Sequence, residues 1–161
     1  MPAILTDING VVPQRAIRYL ETMPYYVTYH LSEDVTLIPG VDFGAGDEAF
    51  VLATPSLFRA KPISVDIYKI TETFNSVTTQ ARVDIGDGTD ANGFAFTDDF
   101  NDNAAAAPIH FSVSDGSLNI GVLDTQGIVQ PNDILTVTCV APTGGTPAGR
   151  AMVGVTILYF K

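Results

Sequence analysis

The chain of 161 residues has no tryptophan, one cysteine, two histidines and eight lysines and arginines in all, and each scarcity narrows what it does. A single thiol cannot close an intramolecular disulfide. Cys139 lies inside the apolar run 134–140, which makes it a small buried hydrophobe and fits assembly in a reducing cytoplasm. His30 and His110 both fall in strand-like runs, where imidazole serves structure or surface more often than proton transfer. No Gly-x-Ser-x-Gly, His-Glu-x-x-His or Cys-x-x-Cys occurs, so hydrolase and zinc chemistry have no starting point and the expectation is no enzyme, no metal and no cofactor. Without tryptophan, a sugar-stacking platform would rest on Tyr25, Tyr26 and Tyr29. The first and third share a strand face while Tyr26 points the other way, which suits core or subunit packing better. No stretch approaches the ~18 apolar residues of a membrane helix, and residues 1–10 lack the basic start of a signal peptide.

What is present is acid. The net charge of −10 opposes contact with phosphate backbones and anionic headgroups, so neither nucleic acid nor membrane is an expected partner, although solubility alone is a common use of such a surface. The charge is unevenly placed: residues 1–82 hold six basic and nine acidic side chains, whereas 83–149 holds nine acids and no base.

At 46% apolar and 16% charged, the chain suits one packed domain. Residues 1–24 stand apart as an N-terminal arm, punctuated by Pro2, Pro13 and Pro24. Pro13 can open a short helix with Ile17 and Leu20 on one face, about two turns that only docking would hold. Arg15, Ile17, Arg18, Leu20 and Met23 are its candidate contact residues for a partner or a neighbouring subunit. From residue 25 the period becomes two, predicting a domain of eight or nine strands over 25–161, with runs at 25–31, 35–38, 49–53, 63–70, 77–85, 109–113, 118–123, 134–140 and 152–160. Residues 89–108, polar and Ala-rich, read as a loop crossing the domain. The final strand, the most apolar, reads as buried on both faces, in the sheet interior or against a neighbouring subunit. Strands separated by turn residues, with no amphipathic helices between them, give the fold class: all-β, a β-sandwich or jelly roll with an N-terminal arm.

Two stretches mimic ligand loops. Residues 144–150, Gly-Gly-Thr-Pro-Ala-Gly-Arg, lack the Gly-Lys-Ser/Thr ending and following helix of a phosphate loop, so they read as a flexible hairpin. Residues 84–93 offer several oxygens to calcium, but counting from Asp87 places Thr89 and Ala91 at the third and fifth positions, and a solvated turn capped by Asp and Asn fits better.

Three stretches together, ARVDIGDGTDANGF at 81–94, PNDILTVT at 131–138 and GRAMVGVTILYF at 149–160, resemble the jelly-roll decoration or cement proteins that coat tailed-bacteriophage capsids. The resemblance covers about half the chain and implies a homotrimer on the exterior of the virion, assembled in the host cytoplasm, with the major capsid protein and its own copies as partners. No catalytic residue carries over. A receptor-binding or fibre-tip domain of the same particles is the alternative, with 89–108 as its contact loop, and a carbohydrate-binding module comes third.

Overall fold

The computed structural model describes residues 23–31, 40–52, 56–75, 78–100 and 108–161. Ten strands form among them: β1 Tyr25–Leu31, β2 Val41–Asp42, β3 Glu48–Leu52, β4 Arg59–Asn75, β5 Arg82–Gly86, β6 Ala95–Thr97, β7 Ile109–Ser112, β8 Leu118–Ile120, β9 Leu135–Val140 and β10 Ala148–Phe160. All pairings are antiparallel, in two five-stranded sheets. One runs β1-β10-β4-β7 with β2 also on β10, and the other runs β3-β9-β5-β6-β8. The protein is an all-β sandwich.

The pairing is nested. β1 pairs with β10, β3 with β9, β4 with β7 and β5 with β6, so the chain behaves as one long hairpin whose ends meet first with last. Rolling that hairpin up adds β10 to β4 and β9 to β5, which is jelly-roll topology. The roll puts the start of β1, the start of β4 and the end of β10 at one end of the sandwich, together with the β3–β4, β5–β6 and β8–β9 connections.

Inward residues alternate as a half-buried sheet requires. Val153, Val155, Ile157 and Tyr159 of β10 face Val65 and Ile67 of β4 across the core from Val83, Ile85, Val137 and Cys139. Phe43, Phe74 and Phe100 meet edge to face at centroid distances of 5.0–5.9 Å and close the core at the opposite end. Burying each such ring contributes about 1.5–3 kcal/mol. β4 runs for 17 residues because it absorbs irregularities: its register against β10 slips between the Arg150 and Met152 partners, where Lys69 takes a φ of 47°, and again beside Pro62.

Three expectations change. Residues 89–108 are not one crossing loop, because Ala95–Thr97 forms β6; the strand is held by pairing to β5 and β8 rather than by any apolar run of its own. β10 is not buried on both faces within its own chain: its inner face is sealed, while Met152, Thr156, Leu158 and Phe160 stay half-exposed on the outer face, which leaves a neighbouring subunit as what would cover it. The described strands number ten, since β2 and β6 are too short to register as periodic runs. The run at 35–38 and residues 1–22 of the arm lie outside the described residues.

Candidate docking surface

Large apolar side chains exposed among the described residues gather at the end of the sandwich where β1 begins. Met23 precedes β1 and Tyr26 is its second residue. Val51, 73% exposed, is the penultimate residue of β3, and Leu57 sits in the connection to β4. Val122, 84% exposed, and Leu123 follow β8, and Ile134 immediately precedes β9. Only these seven are both large and exposed among the described residues, and all belong to this one end.

The end is built by loops that lean on each other. Gly121 N–H donates to Phe94 O at 2.9 Å and Leu123 N–H to Gly93 O at 2.8 Å, so the β8–β9 connection rests on the β5–β6 loop. Ala60 and Val129 exchange two backbone bonds of 3.0 and 2.8 Å, which ties the same connection to the start of β4 in the other sheet. Between these loops lies a cleft of about 470 Å³, lined by Phe94, Leu123, Ile128 and Ile134 and rimmed by Asp87, Asp124 and Asp133.

The rim carboxylates shape the loops they sit in. Asp87 Oδ1 accepts from the backbone of Thr89 and Asp90, both at 2.8 Å, and these bonds hold its carboxyl below the usual carboxylate range. Asp124 Oδ1 accepts from Ile128 and Gln126 N–H, which lowers its carboxyl too, with a smaller contribution from nearby Lys61. Asp133 Oδ2 accepts from Gln130 N–H at 3.2 Å. The capped turn expected at 84–93 is therefore present. Among the described residues no group of three or more His, Cys, Asp or Glu is placed to hold a metal ion.

On the other sheet the same end carries basic charge and rings. The Arg59 guanidinium lies 5.1 Å from the Phe160 ring centroid and Lys161 Nζ 5.9 Å from that of Phe58, with Tyr25 edge-on to Phe58 at 5.5 Å. Tyr25 stacks on Tyr159 at 5.2 Å, and Tyr159 donates to or accepts from Tyr29 hydroxyl to hydroxyl at 2.7 Å. Burial, then that bond, pushes the Tyr159 phenol well above its usual range. The tyrosine cluster thus packs the core edge, with Tyr26 facing outward.

The two histidines share one rung of the outer face of the β1-β10-β4-β7 sheet, His30–Gly154–Asp66–His110. His30 Nδ1 bonds the Tyr68 hydroxyl at 2.7 Å and His110 Nδ1 meets Asp66 at 2.6 Å, so both are surface groups with partners. The glycine-rich 144–150 stretch, expected as a hairpin, does not close one: β9 and β10 belong to different sheets, so it carries the chain across the sandwich at the opposite end and runs into β10, with Gly144 packed against Thr78.

Of the candidate contact residues, Arg15, Ile17, Arg18 and Leu20 lie outside the described residues. Met23 is described, exposed, and at the apolar end. Sequence periodicity missed Val122, Leu123 and Ile134 by absorbing them into strands. Their signal was position: Gly121 and Asp124 bracket the first two, and Asn132-Asp133 precede the third, so turn chemistry marks them as loop residues. The acidic stretch also does not form one face. Asp84 is buried against Arg82, Asp87 and Asp90 belong to the apolar end, and Asp98 and Asp99 follow β6 toward the opposite end.

No protein-family model matches the sequence, and no curated protein matches it. Among solved structures, the chain is similar to "Cyanophage Pam1 capsid asymmetric unit" at 13% identity, over 86% of this chain and 84% of that one, with a TM-score of 0.37. At that score the likeness decides neither fold nor role.

Proposed function

We propose that this protein is a non-catalytic virion structural protein that decorates and stabilises the outer surface of a bacteriophage capsid, attaching through its apolar loop end. The supporting observation is the one-ended distribution of exposed apolar side chains, an arrangement that marks interaction surfaces. The resemblance of 81–94, 131–138 and 149–160 to cement proteins supplies the class of partner, the major capsid protein. The arm leaves the sandwich at this same end, so Arg15, Ile17, Arg18, Leu20 and Met23 join the footprint in this reading.

Attachment as a homotrimer would multiply weak footprints, because each bound copy raises the effective concentration of its linked neighbours. A ligand that binds only the assembled shell stabilises it by mass action. The test is particle-level: quantify copies per virion by mass spectrometry, then bind purified chain to undecorated expanded capsids. The expected outcome is hundreds of copies, as an order of magnitude for a multivalent coat, and a loss of binding of about tenfold or more in Leu57→Ser/Val122→Ser, about 1.4 kcal/mol. A handful of copies together with cell adsorption would replace decoration with the fibre-tip role.

A further inference from the structure

The arm exit and the cleft lie on one row of the fold. Tyr25 pairs with Tyr159, Tyr159 with Ala60, and Ala60 with Val129, whose neighbours Ile128 and Gln130 line the cleft. Three interstrand steps of about 4.8 Å put the start of β1 roughly 14 Å from the cleft wall. Leu20 precedes Tyr25 by five residues and Arg15 precedes it by ten, and at 3.3–3.6 Å per extended residue these reach about 17 and about 34 Å. The segment just before β1 is therefore long enough to fill the cleft of its own chain and too short at Leu20 to reach the far end of the sandwich.

Its chemistry also fits. The cleft pairs apolar walls with three carboxylates, Asp124 of which has Lys61 nearby. Residues 15–20 carry two arginines three apart and two aliphatic side chains three apart, with no acid between them. We infer that this segment docks in the cleft of the same chain, Arg15 and Arg18 against Asp87, Asp124 and Asp133, and Ile17 and Leu20 against Leu123, Ile128 and Ile134. In the free protein this covers apolar surface that would otherwise invite self-association, at a small ordering cost because the segment is tethered beside its site. The inference is independent of the capsid reading, since it concerns the isolated chain and is tested without any shell.

The experiment uses full-length protein. In Arg15→Glu/Arg18→Glu, backbone amides of Leu123, Ile128 and Ile134 should exchange roughly fivefold faster or more than in the unchanged protein, while amides of β10 keep their rates. Equal exchange in the loop amides overturns the docking. A second variant, Leu20→Cys/Ile134→Cys, should form an intrachain disulfide under mild oxidation and run as a monomer, with native Cys139 buried and silent. Disulfides found only as linked dimers, or no disulfide at all, overturn docking within one chain, the first by assigning the cleft to a neighbour's arm.

Discussion

Asp115 turns the chain between β7 and β8 by accepting from both the hydroxyl and the backbone N–H of Ser117, and those bonds hold its carboxyl down at about 2. Asp87 and Asp124 are lowered the same way by backbone donors in their own loops. A carboxyl lowered on folding contributes stability above its unfolded value near 4, and loses it as pH falls through the folded value. Asp84 has the opposite sign. Burial raises its carboxyl despite two bonds from Arg82 at 2.8 and 3.0 Å, so its contribution is present below the unfolded value and lost as pH rises through the folded one. The three lowered groups outnumber it, and the protein should lose stability on acidification between about pH 4 and pH 2. Asp115→Asn removes one charge-assisted acceptor from that balance. Its melting temperature should lie below that of the unchanged protein at neutral pH, and the gap should close as pH falls toward 2. A gap constant across pH would mean that the carboxylate charge is not what the Ser117 donors stabilise.

At the scale of elements, the strands that alternate over enough residues were legible. β1 begins and ends where the 25–31 pattern does, because Tyr25, Val27, Tyr29 and Leu31 share the inward face and the core rewards that parity. β6 was not, since three residues carry no periodicity and the strand exists through its partners. The nesting of β1 on β10 was equally hidden: it joins residues more than 120 apart, and no local pattern encodes which distant strand supplies the missing ladder. The apolar end was lost for a related reason, as Val122, Leu123 and Ile134 adjoin true strands and hydropathy alone extends those strands over them. Glycine marks where the loops touch. A Cβ on Gly121 would meet Asn92 O at 2.2 Å and the Gly93 carbonyl carbon at 2.3 Å, both backbone. Gly121→Ala should therefore push the β8–β9 connection off the β5–β6 loop and lower unfolding stability by about 1–3 kcal/mol, the usual range for overpacking. Urea titration followed by fluorescence of the tyrosines measures it; an unchanged midpoint would show that the two loops separate freely.

Across the whole molecule the two ends of the sandwich differ in kind. At one, exposed aliphatic and aromatic side chains mix with acids on one sheet and bases on the other. At the opposite end, Phe43, Phe74 and Phe100 close the core from inside, and polar links finish the surface: the Arg150–Asp42 pair, Thr79 to Thr143 at 2.6 Å and Ala141 N–H to Asp47 at 2.7 Å. Asp98 and Asp99 follow β6 toward this polar end, Asp98 accepting from Asn119 at 2.8 Å. In a protein that docks by its apolar end, these acids face away from the partner, and their charge acts on it only through solvent, screened beyond about 8 Å at physiological salt. Asp98→Asn/Asp99→Asn should consequently leave attachment to expanded capsids within about threefold, whereas Leu57→Ser/Val122→Ser costs tenfold or more. Comparing the two double variants side by side tests the polarity of the molecule rather than any one contact. If the acid pair weakened binding as much as the apolar pair, the footprint would have to span both ends, and a one-ended mode of docking would be untenable.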